Sequence, residues 1–136
     1  MMAVSGDPGS YKTWLLMEMA IAVAGGEPFL GQFATQQGAV MLVDEENPAR
    51  LLQERFKRMN IPQADLPIHI MSLGGFRLTD DNVRFLLREA QNTDVKLIIF
   101  DSLVRIHDAE ENDAKKMAQV FSKLKRFVAA GIAVVF

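Results

Sequence analysis

Apolar residues fall along this chain in short unbroken runs that alternate with longer runs of helical period. Ala39 to Val43, Val95 to Phe100 and Ile132 to Phe136 are continuous apolar stretches of strand length, the pattern of strands covered on both faces of a parallel sheet. Ile68 to Met71 is a shorter stretch of the same kind, and Met2 to Ser5 opens the chain as a strand. Trp14 to Ala24 is apolar at nearly every position, interrupted mainly by Glu18, which predicts a helix buried on most sides. Gly25-Gly26 can end it and Pro28 bars its return.

Three further helices follow from periodicity. Asn47-Pro48 reads as a start, with Asn as cap and Pro at the first helical position. Leu51, Leu52, Phe56 and Met59 would face inward there, and Gln53, Glu54, Lys57 and Arg58 outward. Thr79 can cap a helix whose inner face is Val83, Leu86, Leu87 and Ala90, while Arg84, Arg88 and Glu89 lie outside. The segment from Asp113 to Ala130 places Met117, Val120, Phe121, Leu124, Phe127 and Val128 on one face, and Gly131 ends it. Pro62 to Pro67 is a connector, and Arg105 to Asn112 a polar, acid-rich loop. Strands alternating with helices over the whole length predict one α/β domain, residues 1–136, with a mainly parallel sheet. Ligands of such sheets sit at the carboxyl ends of the strands.

Composition narrows the classes. The 136 residues are 49% hydrophobic and 24% charged with a net charge of -2, an ordinary balance for a globular domain with no basic footprint for nucleic acid. The absence of cysteine removes disulfides, thiolate metal sites and cysteine nucleophiles together. His69 and His107 are too far apart in sequence to suggest a metal site. No apolar run reaches membrane-spanning length, and a chain opening directly in a strand carries no signal peptide, so no membrane association is expected and the cytoplasm is the expected compartment.

Three polar clusters then fall at strand ends. The first, Val4 to Thr13, supplies Gly6, Lys12 and Thr13 at the spacing of the phosphate-binding pattern G-x-x-x-x-G-K-[ST]. Backbone N–H groups of such a loop and of the following helix can hydrogen-bond a polyphosphate. Lys12 would reach the β- and γ-phosphates, and the Thr13 hydroxyl would ligate Mg²⁺. Tyr11 stands where the second glycine belongs. The second cluster is Asp101, ending Leu-Ile-Ile-Phe-Asp; beside a phosphate loop this is the Walker B arrangement, a carboxylate aimed at a magnesium ion. The third is Asp44-Glu45-Glu46, one of which should orient and polarise the attacking water, the others serving as acids at a helix start. Arg105 and His107 read as solvated, His69 as a structural histidine, Trp14 as core, and Lys115, Lys116, Lys123, Lys125 and Arg126 as a solvated helix face.

Four stretches together resemble one family: Gly-Asp-Pro-Gly-Ser-Tyr-Lys-Thr-Trp at 6–14, Gly-Gly-Glu-Pro-Phe-Leu-Gly at 25–31, Val-Asp-Glu-Glu-Asn at 43–47, and Ile-Phe-Asp-Ser-Leu-Val-Arg-Ile-His-Asp-Ala-Glu-Glu-Asn-Asp at 99–113. The chain is similar to RecA-like ATPases, in particular the branch of the hexameric replicative helicase RepA. The resemblance implies a three-layer core with ATP held by Gly6, Asp7, Pro8, Gly9, Ser10, Tyr11, Lys12, Thr13 and Trp14. It assigns Lys12 and Glu46 to catalysis, and Thr13 and Asp101 to Mg²⁺. It implies DNA as a partner and a ring of identical subunits, each site completed by a neighbour's arginine for which no residue here has a match. It also implies that the strand at 132–136 lies between the Met2–Ser5 strand and the one ending in Asp101. The core would be truncated at its C-terminal end, with Met2–Ser5 an open edge that recruits another chain and with slow hydrolysis alone. Two other functions stay open at this stage. One is a regulatory or scaffold protein whose assembly ATP controls; the other is a kinase for a small acceptor, which a water-activating glutamate disfavours.

Overall fold

The computed structural model describes residues 1–7, 9–59, 65–109 and 113–136. Among these residues four α-helices and four strands alternate: α1 (Lys12–Gly25), β1 (Ala39–Asp44), α2 (Ala49–Arg58), β2 (Ile68–Ser72), α3 (Asp80–Asn92), β3 (Val95–Asp101), α4 (Ala114–Ala129) and β4 (Ala133–Val135), with one turn of 3-10 helix, Leu103–Arg105, after β3. The strands form one parallel sheet in the order β2-β1-β3-β4. Residues 2–4 extend along the far side of β4 and add a fifth row. Met2 N–H donates to Val134 O at 2.9 Å, Phe136 N–H to Met2 O at 3.2 Å, and Val4 N–H to Phe136 O at 2.7 Å. Thus β4 lies between the opening segment and β3, although that segment makes a single bridge rather than a full strand.

Alternation along the strands divides the core into two layers. Val40, Leu42, Leu97, Ile99 and Val135 face the layer of α1 and α2, where Leu16, Met17, Ala20 and Leu52 are buried. Met41, Val43, Ile98, Phe100 and Val134 face α3 and α4, and pack on Val83, Leu86, Leu124 and Phe127. Phe100 carries that second layer, with the rings of Phe76 and Phe127 each centred 5.9 Å away. Helix α1 ends as its glycines predict, Gly26 taking φ 74°.

Several local expectations shift. Helix α2 is capped by Pro48, not Asn47, because the Asn47 side-chain amide and backbone N–H are both engaged by Asp44. Val128 is exposed, since the buried stripe of α4 runs through Val120, Leu124 and Phe127 and leaves the next position on its flank. Lys123 is partly buried rather than on an open solvated face, and its ammonium donates to Leu78 O at 2.8 Å. Arg126 reaches Asp80 at 2.9 Å and ties α4 to the start of α3. His69 lies exposed on the edge strand β2. Pro8, residues 60–64 with the first part of the connector Pro62–Pro67, and residues 110–112 of the acidic loop fall outside the described residues. Among the described residues, no helix is long and apolar enough to cross a membrane.

Candidate functional site

A parallel sheet leaves its strands' last residues on one edge, and here that edge gathers the chemistry. The opening segment leads into the loop 5–11, β1 ends at Asp44 and β3 at Asp101. Asp44 and Asp101 are register partners on neighbouring strands, on the α1 side of the sheet. They are the buried charged residues among those described, 0% and 5% exposed. The loop and β3 meet across a cleft of about 1000 Å³ that Lys12, Thr13, Trp14, Glu46, Arg55 and Asp101 help to line.

The loop is shaped by its own backbone. Ser10 N–H donates to Asp7 O at 3.1 Å, closing a turn in which Gly9 takes φ 82°. A Cβ on Gly6 would come within 2.8 Å of Ser10 Oγ, so a side chain there would make the Ser10 hydroxyl turn away from its position in the loop. Lys12 Nζ donates to Gly6 O at 2.6 Å and Asp7 O at 2.9 Å, which fixes its charge at the loop rather than in solvent. Tyr11 precedes α1 with φ 61°, the left-handed conformation that the pattern's glycine adopts freely. Its side chain is 76% exposed.

Thr13 connects the loop to the sheet. Its hydroxyl donates to Asp101 Oδ2 at 2.7 Å. A hydroxyl and a carboxylate are hard oxygen donors, and magnesium takes one or two carboxylates with substrate phosphates rather than an all-protein cage. The pair therefore fits Mg²⁺. Burial pushes the Asp101 carboxyl above its ordinary value; the Thr13 hydrogen bond opposes this, repulsion from Asp44 and Glu46 adds to it, and the Arg55 charge opposes it.

The three acids after β1 separate into three tasks. Asp44 Oδ1 accepts the Glu46 and Asn47 N–H groups at 2.8 and 2.7 Å, folding the chain back so that Glu46 points to the cleft. Glu45 turns the other way and accepts Gly75 N–H at 3.1 Å and Phe76 N–H at 2.9 Å, bracing the segment after β2. Neither is simply an acid at a helix start. Glu46 Oε1 accepts the Ser102 hydroxyl at 2.7 Å and lies 3.7 Å from Arg105 Nε. The Ser102 contact is a well-formed hydrogen bond to a charged acceptor, itself open to solvent. The Arg105 pair is exposed and at most about 1 kcal/mol. Ser102 is the principal restraint on Glu46.

Arg55, Ser102, Arg105 and His107 are site residues that sequence reasoning passed over or read as solvated. Arg55 lies three residues after Leu52 and one before Phe56, so it is a cation on the inward face of an amphipathic helix, a legible signal. Its guanidinium lies 5.8 Å from the Trp14 ring, and its buried Nη1 has no partner among the described residues. Trp14, expected in the core, is only partly buried and forms part of the cleft wall. His107 is half-buried, and its Nδ1 accepts Ala109 N–H at 3.1 Å. Arg105 is linked to Glu46, and its carbonyl accepts from Arg77.

A glycine-bearing loop, a lysine and a threonine at the carboxyl edge of a parallel sheet define a nucleotide-binding α/β domain of the P-loop class. A family model described as an AAA domain matches residues 1–136, and the chain belongs to that family of P-loop ATPases. No curated protein matches the sequence.

Proposed function

We propose that the chain binds ATP with Mg²⁺ in the loop Gly6–Thr13 and hydrolyses it, as the ATPase core of a RecA-type, DNA-handling motor working in a ring of identical subunits. The observation that carries the hydrolytic part is the hydrogen bond between Thr13 and Asp101 opposite Glu46 in one cleft. The finer assignment to a helicase branch rests on the four stretches that resemble it. Lys12 would give a point charge to the β- and γ-phosphates, and backbone N–H groups of the loop and of the start of α1 would take their oxygens. Thr13 and Asp101 would hold Mg²⁺, which neutralises charge on the phosphates. Glu46 would orient a water and take its proton. The water oxygen bonds to the γ-phosphorus as the bond to the bridging oxygen breaks, and ADP leaves with that electron pair. Arg55 adds a positive donor beside the same cleft.

Two variants test this reading together. Lys12→Ala should weaken ATP binding at least about tenfold, as expected for a charge-assisted contact of roughly 1.5–3 kcal/mol. Glu46→Gln should keep ATP affinity while lowering turnover by about 10² or more, and Glu45→Gln should not. Unchanged affinity in the first variant removes the loop assignment, and equal losses in the two glutamine variants remove the choice of Glu46. Tight binding without turnover in the parent would favour the alternative, ATP as a controller of assembly. Turnover stimulated by added DNA would support the motor.

A further inference from the structure

We propose that Ser102 is the positioning residue for Glu46, with Arg105 as a weaker second arm, so that the segment following β3 sets the water-orienting carboxylate. This rests on the reading of Glu46 above. Glu46 follows β1 and is itself exposed, so its own strand does not fix the end of its side chain. What fixes it comes from the neighbouring strand. The Ser102 hydroxyl donates to Oε1 at 2.7 Å, and Arg105 Nε stands 3.7 Å from the same oxygen. Oε1 is thus held by a hydrogen bond with a cation beside it, while Oε2 has no hydrogen bond among the described residues and is open to a water. A carboxylate with one oxygen clamped presents the other in one direction, which is the condition for a base to orient a nucleophile.

The clamp is anchored on both sides. Ser102 follows Asp101 directly, so the clamp and the cation-binding carboxylate share one piece of backbone, and Glu45 N–H, next to the base, donates to Asp101 O at 2.9 Å. The segment carrying Arg105 is held by the one after β2: Arg77 donates to Arg105 O, and Leu78 N–H donates to Ile106 O at 2.7 Å. That second segment is in turn held by Glu45 through Gly75 and Phe76. The two adjacent glutamates therefore close a circuit through three loops, with Ser102 as the link that touches the reacting group's own carboxylate.

A merely structural serine and a positioning serine differ in how their loss combines with loss of Glu46. Single-turnover hydrolysis of γ-labelled ATP, with protein in excess, gives the chemical step even when it is slow; a nucleotide titration gives affinity. Ser102→Ala should slow the step about tenfold with ATP affinity within about twofold of the parent. Ser102→Thr, which keeps the hydroxyl, should restore most of the rate. Arg105→Ala, on an exposed side chain, should cost about two- to threefold. Placed on Glu46→Gln, both alanine changes should have no further effect, because the group they act through has gone. A full rate in Ser102→Ala, an equal loss on the Glu46→Gln background, or a parallel loss of ATP affinity would overturn the proposal. If Glu46→Gln itself hydrolyses as fast as the parent, the reading of Glu46 fails first, and that outcome is distinct from a Ser102 effect missing beside an intact Glu46 effect.

Discussion

On one side of the cleft, Lys12 is held by carbonyls of its own loop, and the residues from Ser5 to Tyr11 that are described are exposed. On the other, Asp44 and Asp101 end two paired strands, buried and in register. The loop gets its shape from local backbone geometry, so its side chains can change with little effect on the core. The strand-end acids get theirs from the sheet, and the sheet in turn depends on them, because a buried carboxylate must be satisfied where it stands. Binding should be separable from folding on the loop side and inseparable from it on the strand side.

The strongest break of that contrast is Asp44→Ala. It removes the acceptor of two backbone N–H groups and of the Asn47 amide, and leaves the donors at 46 and 47 without that partner in a partly buried turn. Hydrogen bonds to a charged group and the penalty for unmet donors together give a loss of about 3 kcal/mol or more, read as a lower urea midpoint. Turnover should fall as well, since Asp44 aims Glu46. Asp44→Asn keeps an acceptor and should lose less. A variant as stable as the parent would show that the turn 44–47 is held by something else.

Asp101 sharpens the comparison through pH. Burial raises its carboxyl pKa in the folded chain, so the folded state binds the proton more tightly than the unfolded one. The stability this contributes is present in acid and is lost as pH rises through the raised value, above which the buried group is charged. Asp101→Asn should therefore be more stable than the parent at pH 7 in the presence of a chelator, with the difference shrinking as pH falls toward about 4. The same variant should lose the dependence of ATP binding on Mg²⁺. Thermal melts across pH check the first statement and nucleotide titrations the second. A parent more stable than the variant at pH 7 would mean that the Thr13 and Arg55 interactions outweigh burial.

The contrast also explains what could be read from the chain. The three main strands and four helices are legible because their patterns are carried by many residues each; unbroken runs such as Leu97–Phe100 have no other stable place than the middle of a sheet. Gly6, Lys12, Thr13 and Asp101 are legible because spacing alone places them at strand ends. The division of labour among Asp44, Glu45 and Glu46 is not. Strand alternation stops at Asp44, and the turn beyond it is set by which donors each carboxylate meets, including groups 30 and 31 residues away for Glu45. Ser102 and Arg105 are hidden for the same reason, their partner being 56 residues distant in the first case. The α2 cap moves by one residue while the Asn47 amide donates to Asp44, and no side chain caps the helix.

The smallest expected effect lies in the loop, at Tyr11. The glycine of the pattern could serve there because it has no side chain near the phosphates, or because it tolerates a positive φ. The two explanations predict different outcomes for Tyr11→Gly. The tyrosine side chain is 76% exposed, so it leans into solvent, and a left-handed φ of 61° is the feature it has in common with glycine. Holding a non-glycine residue in that conformation costs about 1–2 kcal/mol, while glycine loses roughly 0.5–1 kcal/mol more chain entropy on ordering. Tyr11→Gly should therefore stabilise the chain by no more than about 1 kcal/mol, with ATP affinity changing less than about threefold. Tyr11→Val, β-branched and intolerant of positive φ, should melt at a lower temperature than either. If Tyr11→Gly instead tightens ATP binding tenfold or more, the side chain, and not the backbone angle, is what the pattern's glycine avoids.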